Sequence, residues 1–217
     1  MKPKNNSMLP PHLVTSYDRD AHPVEFGRVL ALSDGVFAIA LTLLVLDLAL
    51  PAVTSSSLAS TLTNMWPKFL AFAISVFVVA MFIDVHHRQL RLIQRLDSAL
   101  LGLNIPYLTL VVLIPFFQGV LSEYPTEPLA YALYALVIGA INTIDGIMFW
   151  HAHRKKLLRV ALPPRHLRVE NWRAVIPVLL CLLSVPMAYV IGAWTALFWI
   201  ALPVADRFLS RLEQKMV

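Results

Sequence analysis

The sequence predicts an all-α polytopic membrane protein with six transmembrane helices. Of its 217 residues, 58% are hydrophobic and 14% are charged, which is more apolar surface than a soluble domain can bury. The apolar residues form six runs, each close to the roughly 20 residues that a helix needs to cross a bilayer. Basic residues are concentrated in alternate connections between these runs, as expected for a chain that crosses a membrane repeatedly.

The six predicted helices follow one another with short polar connections. They occupy residues 26–50, 66–87, 98–121, 126–151, 172–191 and 193–210. Each run is apolar along its whole length instead of alternating in polarity, which argues against β-strands. We expect Pro51, Pro67, Pro125 and Pro128 to mark helix boundaries, because proline cannot donate the backbone hydrogen bond of a helix interior.

The basic residues also predict how the chain is oriented. The N-terminal tail is basic, and so are HHRQLRLIQR at 86–95 and the long connection at 151–173, whereas the other side carries only Lys68. Because basic connections stay on the cytosolic side, we expect a cell-membrane protein with both termini in the cytosol. The net charge of +5 then reflects topology, and no nucleic-acid partner is expected. The predicted divisions are a flexible cytosolic tail at 1–22, a six-helix transmembrane domain at 23–212 and a cytosolic C-terminal end at 213–217.

The first predicted helix contains an apolar stripe. At 100° per residue, Ile39, Leu43, Leu46 and Leu50 fall on one narrow face of GRVLALSDGVFAIALTLLVLDLALP, and Thr42 lies at its edge. Stripes of this kind most often pack against other helices or face lipid. Taken alone, the stripe therefore does not indicate a pore.

A polar pair lies on a different face of the same helix. Ser33 and Asp34 are about 120° and about 140° from Ile39 on an ideal helix. A carboxylate in lipid costs at least about 2.5 kcal/mol, so Asp34 is expected to face protein and to have a partner. We favour a packing role over contact with an ion. The candidate partners are His86 or His87, with Asn104 at a similar depth.

Two further charges lie near the ends of this helix. Arg28 has the same angle as the apolar stripe near the cytosolic boundary, where snorkelling to the interface and a place at a pore mouth both fit. Asp47 lies near the opposite interface. We expect it to be a helix cap or a solvated surface charge.

The segment RVLALSDGVFAIALTLLVLDL resembles the first-helix signature of the lysosomal/endosomal potassium-channel family and its prokaryotic homologues. Arg28, Ser33 and Asp34 match the Arg-x3-Phe-Ser-Asp motif, with Leu32 in place of the phenylalanine. Downstream, HHR at 86–88 and LGLNIPYLTLVVLIPF at 101–116 are similar to the second and third helices of the family. Ile83 stands where a tryptophan is expected.

The resemblance implies a potassium-permeable cation channel that assembles as a homotetramer, with the first helix of each copy lining a central pore. Ile39, Leu43 and Leu46 would form a hydrophobic constriction, and Thr42 would add a polar ring associated with selectivity. We expect modest selectivity for K⁺ over Na⁺. Potassium is then the cargo, and no cofactor or metal site is expected.

The resemblance also implies a structural polar network that holds the first helix in place. Its members are expected to be Arg28, Ser33, Asp34, His86 or His87, and Asn104. Membrane lipids are the other expected partners, with anionic lipids at the basic connections.

Two other functions are compatible with some of these residue types. Ser33, Asp34 and His86 supply the residue types of a hydrolase triad, but adjacent side chains on a helix diverge by about 100°, and no nucleophile elbow is present. We therefore expect no enzyme. The alternative to a channel is a proton-coupled secondary transporter or a proton-conducting membrane protein that uses Asp34 and His86.

Overall fold

The computed structural model describes residues 11–49, 58–159, 162–195 and 199. The α-helices are α1 (Pro11–Leu44), α2 (Leu58–Asn64), α3 (Trp66–Leu92), α4 (Ser98–Glu123), α5 (Pro128–Arg154) and α6 (Pro164–Ile191), with 3₁₀ turns at Val45–Leu48 and Gly192–Thr195. Within these residues β-pairing is limited to one isolated bridge between Ile93 and Leu158. The predicted all-α class is confirmed.

Five of the described helices are long and apolar enough to cross a membrane. These spans are Phe26–Leu48, Trp66–Leu92, Ser98–Glu123, Pro128–Arg154 and Pro164–Ile191. They correspond to the first five predicted runs, so the chain is a multi-pass membrane protein. The predicted sixth run, 193–210, lies largely outside the described residues, and the count of six spans stays a prediction.

Two helices begin earlier than the hydropathy pattern predicts. Helix α1 begins at Pro11, so residues 11–22, which were expected to form a flexible tail, are helical. Helix α6 begins at Pro164, eight residues before the predicted start at 172. Its first turns are polar and contain an ion pair between Arg173 and Glu170 at 2.7 Å. Hydropathy marks only the apolar part of a helix and therefore misses such polar turns.

The start of each central helix has a local cause. Prolines stand in the first turns of α3, α5 and α6, where the missing N–H is not needed. Helix α4 is capped by Asp97, whose Oδ1 accepts a hydrogen bond from the backbone N–H of Leu100 at 2.9 Å. Partial burial raises the pKa of Asp97, but the hydrogen bonds from His151 and Leu100 outweigh it and hold the pKa below its ordinary value.

Helix α5 packs against both α4 and α6, and α1 packs against α4 and α3. Small residues allow the closest of these approaches. A Cβ at Gly146 would lie 3.0 Å from Cβ of Ala174, and one at Gly139 would lie 3.1 Å from Cβ of Cys181. In a bilayer, lipid tails are as apolar as leucine, so helices associate through close van der Waals packing instead of hydrophobic exclusion. The two glycines provide that contact between α5 and α6.

The connections after α3 and α5 meet at one end of the bundle, here called the basic end (residues 86–97 and 151–173). The backbone N–H of Gln94 donates to Leu157 O at 2.7 Å, and that of Arg159 donates to Leu92 O at 2.8 Å. His151 Nε2 and Asp97 Oδ2 are 2.7 Å apart. The two basic connections therefore lie on the same side of the bundle, as the charge pattern predicts.

Candidate functional site on the first helix

Helix α1 has one face buried in the bundle. Phe37, Ala40 and Leu44 are at most 1% exposed, and Ser33 is completely buried one turn before them. Their spacing of three or four residues places them on one stripe, which faces α3 and α4. The rotation of α1 about its axis is therefore set by its contacts within the chain.

The opposite face of α1 is uncovered. Ile39, Leu43 and Leu46 are 55%, 38% and 66% exposed, respectively. Thr42 is also exposed, and its hydroxyl donates to the backbone oxygen of Ile39 at 2.8 Å. With that proton engaged inside the helix, the Thr42 oxygen presents its lone pairs outward. The predicted constriction residues thus share one unpartnered face.

A buried polar cluster fastens α1 to the bundle at its Ser33 end. The Ser33 hydroxyl donates to Val29 O at 3.0 Å, which uses its only proton. Its oxygen lies 3.1 Å from His86 Nε2 and 3.5 Å from Asn104 Nδ2, so both groups donate to it. This network assigns the Nε2–H tautomer to His86. The cluster joins α1, α3 and α4 at a single hydroxyl.

Aromatic rings enclose this cluster. The His86 ring stacks on Tyr107 with centroids 4.7 Å apart and an interplanar angle of 12°. Phe37 packs edge-on against His86 at 5.8 Å and against Tyr107 at 6.3 Å. All three rings are at most 1% exposed, so the hydrogen bonds to Ser33 lie in a dry environment. Phe37 and Tyr107 were not among the predicted site residues, although each lies one helical turn from Ser33 or Asn104.

Asp34 pairs with His87 and not with His86. His87 Nε2 lies 2.6 Å from Asp34 Oδ1, and the two side chains are 31% and 51% exposed. This contact identifies the histidine partner that the sequence left open. It also separates Asp34 from the Ser33–His86 hydrogen bond, so the three residues do not form a catalytic relay. Arg28, the remaining expected member, is exposed and has no hydrogen-bond or ion-pair partner among the described side chains.

The expectation that Asp47 is a cap or solvated surface charge is wrong. Its carboxylate is partly buried and accepts hydrogen bonds from Gln118 Nε2 at 2.9 Å and from the Ser122 hydroxyl. Both donors are buried on α4, at positions four residues apart that share a face. The sequence did contain a signal for this contact, because Gln118 and Ser122 are two polar residues on one face of an otherwise apolar helix. Asp47 therefore links the far end of α1 to α4.

The two links show that α1 and α4 run parallel. Ser33 contacts Asn104, and Asp47 contacts Gln118, so both pairs are separated by 71 residues in sequence. A constant separation requires the two helices to run in the same direction and in register. The links stand 14 residues apart, from Ser33 in α1 to Asp47 in the 3₁₀ turn that continues it, which is about 21 Å at the α-helical rise. They hold most of the membrane-spanning part of α1 against α4.

The residues of this site fall within a match to a family model. Residues 28–115 match the model of the endosomal/lysosomal potassium channel TMEM175. The match covers the α1 stripe, both histidines of α3 and Asn104 of α4. The resemblance drawn from the first-helix motif is confirmed.

Curated relatives support the same family. A potassium channel of Chamaesiphon minutus is 37% identical over 148 residues, which cover 65% of this chain and 73% of that protein. One of Streptomyces collinus is 37% identical over 135 residues, which cover 60% of this chain and 66% of that protein. The human protein, named endosomal/lysosomal proton channel TMEM175, is 32% identical over 127 residues, which cover 54% of this chain and 25% of the human protein.

A solved structure has the same fold. The crystal structure of a lysosomal potassium-selective channel TMEM175 homolog from Chamaesiphon minutus matches with a TM-score of 0.74 and 29% identity, covering 87% of this chain and 98% of that one. These relatives are ion channels and not enzymes, as the sequence predicts. The chain, with its buried Ser33–His86 cluster and uncovered apolar stripe, belongs to the TMEM175 potassium-channel family.

Proposed function

We propose that this chain forms a potassium-permeable channel as a homotetramer, with the α1 stripe of each copy facing a central pore. The observation that carries the proposal is the uncovered face made by Ile39, Leu43 and Leu46, opposite the buried face of the same helix. A helix fixed in rotation by its own chain presents that face either to lipid or to other copies. Membership in a channel family favours contact with other copies over contact with lipid.

The proposed pore is closed by dewetting. A narrow tube lined by rings of isoleucine and leucine disfavours a continuous column of water and so blocks hydrated ions. Opening requires the rings to widen or α1 to tilt. The Thr42 oxygens, which face outward, replace part of the water that a passing ion gives up. Because no rigid ring of backbone carbonyls is involved, we expect modest selectivity for K⁺ over Na⁺.

The buried cluster serves this pore as an anchor. Ser33, His86 and Asn104 hold one end of α1, and the Asp34–His87 pair adds a contact at the same depth. Arg28, without a partner in the described part of one chain, is free to face the pore mouth or a neighbouring copy. In this proposal the polar residues fix the rotation of α1 about its axis, and the apolar residues of the stripe line the ion path.

The proposed setting is a cell membrane, with both termini in the cytosol and the basic end on the cytosolic side. Exposed basic side chains at that end are suited to the head groups of anionic lipids. They are Arg91, Arg95, Arg154, Lys155, Lys156, Arg159, Arg165 and Arg168. Potassium is the transported ion and no cofactor takes part.

A second candidate is proton conduction, alone or coupled to transport. It is favoured by the name of the human relative, a proton channel, and by the half-exposed Asp34–His87 pair. Measured in liposomes, a channel passes K⁺ without a proton gradient, whereas a coupled transporter requires one. Potassium flux that stops when the proton gradient is removed favours the transporter.

Replacing Ile39 with asparagine tests the pore face. A polar ring at the constriction eases wetting, so Ile39→Asn should raise the basal potassium leak of reconstituted protein severalfold. The matched control is Ile105→Asn on α4, because Ile105 is the same residue type and is 66% exposed. We expect this control to conduct like the parent. Equal conduction by Ile39→Asn, parent and control, with the oligomer intact, would show that the assigned face is wrong.

A further inference from the structure

An apolar groove runs along the contact between α5 and α6. It consists of two adjoining cavities of about 380 Å³ and about 270 Å³, which share Thr143 and Val178 in their mostly aliphatic walls. The Thr143 hydroxyl donates to Gly139 O at 2.7 Å, so its proton is engaged within its own helix. The groove extends along α5 from Leu136 to Trp150, about 21 Å at the helical rise. One leaflet of a bilayer has a hydrocarbon layer of about 15 Å, so the groove is long enough to follow an acyl chain through it.

The described part of the chain leaves the rims of this groove uncovered. Ile147 on α5 and Val175 and Leu179 on α6 line it, and each of these side chains is nearly half exposed. Helix α1 packs against α3 and α4, whereas α6 packs against α5, so the groove lies on a different side of the bundle from α1. In the proposed channel, where α1 faces the pore, the groove is therefore turned toward lipid.

The two walls of the groove are antiparallel helices in a fixed register. Gly139 on α5 is closest to Cys181 on α6, and Gly146 is closest to Ala174. A step of seven residues forward along α5 therefore corresponds to seven residues back along α6. This pairing gives the level at which each helix reaches the basic end.

Each wall ends, at the basic end, in a tryptophan and an arginine one helical turn beyond it. On α5, Arg154 Cζ lies 3.6 Å from the centre of the Trp150 ring. On α6, Trp172 and Arg168 are four residues apart and exposed, and Trp172 shares a face with Val175 of the groove wall. The antiparallel pairing brings each residue of the second pair within two residues, about 3 Å along the axis, of the level of its counterpart. Tryptophan favours the level of lipid head groups, so the groove ends where a head group would lie.

The end of the groove is strongly positive. Residues 151–173 contain seven lysine and arginine residues and one acidic residue, Glu170, which pairs with Arg173 at 2.7 Å. A guanidinium that is stacked by its face, as Arg154 is on Trp150, keeps its N–H edge directed outward. That edge can donate two parallel hydrogen bonds to a phosphate. The charge is therefore complementary to an anionic head group.

We propose that this groove binds an acyl chain of an anionic phospholipid, whose phosphate is held by Arg154 and Arg168. The apolar walls accept the chain, and the two arginines bind the head group from opposite walls. A zwitterionic lipid fits the walls equally well, but its own cation offsets the charge of its phosphate, so the site selects an anionic lipid. The proposal rests on the proposed function only in turning this face toward lipid, and its test does not use ion flux. A lipid bound in this way contacts both helices and stabilises the contact between α5 and α6.

Native mass spectrometry of the full chain, purified in detergent, tests the site. The protein is titrated with phosphatidylglycerol and, separately, with phosphatidylcholine that has the same acyl chains. Each basic side chain near an anionic head group strengthens binding by about fivefold, so the Kd of the first phosphatidylglycerol should be at least about fivefold lower than that of phosphatidylcholine. Equal affinity for the two lipids would overturn the proposal.

Two arginine variants separate this site from a general attraction to the basic end. Arg154→Gln and Arg168→Gln should each raise the Kd for phosphatidylglycerol by about fivefold and leave the Kd for phosphatidylcholine unchanged. The control is Arg91→Gln, which removes the same charge from an exposed arginine of α3 that lines neither cavity. It should keep the affinity of the parent. If Arg91→Gln weakens binding as much as the other two, or if neither of those weakens it, the head-group assignment is wrong.

A third variant tests the groove itself. Val178→Trp fills the part that the two cavities share and should raise the Kd for both lipids at least threefold. Leu183→Trp is the control, because Leu183 is exposed on the same helix and lines neither cavity. The same spectra give the mass of the oligomer. A Val178→Trp protein that loses its oligomeric state but keeps its lipid affinity would show that a second copy covers the groove, and would overturn the proposal.

Discussion

The Ser33 hydroxyl shows, at the scale of single residues, how one small side chain joins three helices. It donates to its own helix and accepts from His86 and Asn104, so it satisfies two buried donors at once. Neither donor has an alternative acceptor in water, because aromatic rings enclose the cluster. A buried donor left without a partner costs more than the net gain of an ordinary hydrogen bond.

Ser33→Ala should therefore reduce the free energy of unfolding by about 1–3 kcal/mol, since it leaves the donors of His86 and Asn104 unpaired. The measurement is the Tm of the purified protein in detergent. Thr109→Ala is the control: its hydroxyl makes the same kind of bond, to Ile105 O at 2.9 Å, but it is exposed and serves no second helix. Equal stability of the two variants would argue against the anchor.

Asp47 supports a second prediction at this scale. Asp47→Ala removes the acceptor for both Gln118 and Ser122 and should also cost about 1–3 kcal/mol. Glu123→Ala breaks an exposed ion pair with Lys68 and should cost about 0–1 kcal/mol. Both costs are obtained from the same denaturation series. If Asp47→Ala is no more destabilising than Glu123→Ala, the carboxylate does not hold α1 to α4.

Residue identities were predictable only in part. The Ser-Asp motif and the depth of the histidines placed Ser33, Asp34, His86, His87 and Asn104 near one another, and the structure brings them together. Which histidine meets Asp34 depends on the rotation of α3, because adjacent side chains differ by about 100°. That rotation is set by packing against α1 and α4, which periodicity does not describe.

At the scale of elements, the parallel register of α1 and α4 explains why one face of α1 stays uncovered. The two polar links hold the buried face against the bundle from Ser33 to Asp47, so the apolar stripe cannot turn inward. The angles drawn from the sequence already separated the stripe from the Ser-Asp pair. The link through Asp47 was missed, because a charge near a helix end fits a solvated position equally well.

Helix packing yields a prediction of its own at Gly146. Gly146→Ala places a Cβ 3.0 Å from Cβ of Ala174, closer than ordinary van der Waals contact, so the α5–α6 contact must shift by a few tenths of an ångström, at an expected cost of about 1–3 kcal/mol. Gly102→Ala is the matched control, because a Cβ there meets no atom within 4 Å and alanine favours the helix. The Tm of each variant relative to the parent gives the comparison. An equal loss of stability in the two variants would rule out close packing between α5 and α6 as the cause.

Helix boundaries show where hydropathy stops being informative. The apolar parts of the first five spans were located to within a few residues, since lipid exposure selects for long apolar runs. The starts of α1 and α6 were missed because their first turns are polar. In α6 those turns contribute Glu170 and Arg173, whose pairing depends on burial against α3 and α5.

At the scale of the whole molecule, one chain supplies an anchored helix with an open face, and the family supplies the context of an ion channel. The exposed stripe could line only one side of a pore, because no residue in the described part of a single chain lies opposite it. A pore therefore requires further copies, and the tetramer is the arrangement that we propose.

Potassium flux through purified protein in liposomes tests the central claim most directly. With K⁺ and Na⁺ gradients compared in parallel, and with the proton gradient abolished by an uncoupler, we predict fast passive K⁺ flux with a modest preference over Na⁺. Ile39→Asn protein in the same vesicles should conduct more than the parent. Flux that requires a proton gradient, or reconstituted oligomers that pass no K⁺ even with Ile39→Asn, would contradict a potassium-permeable pore lined by α1.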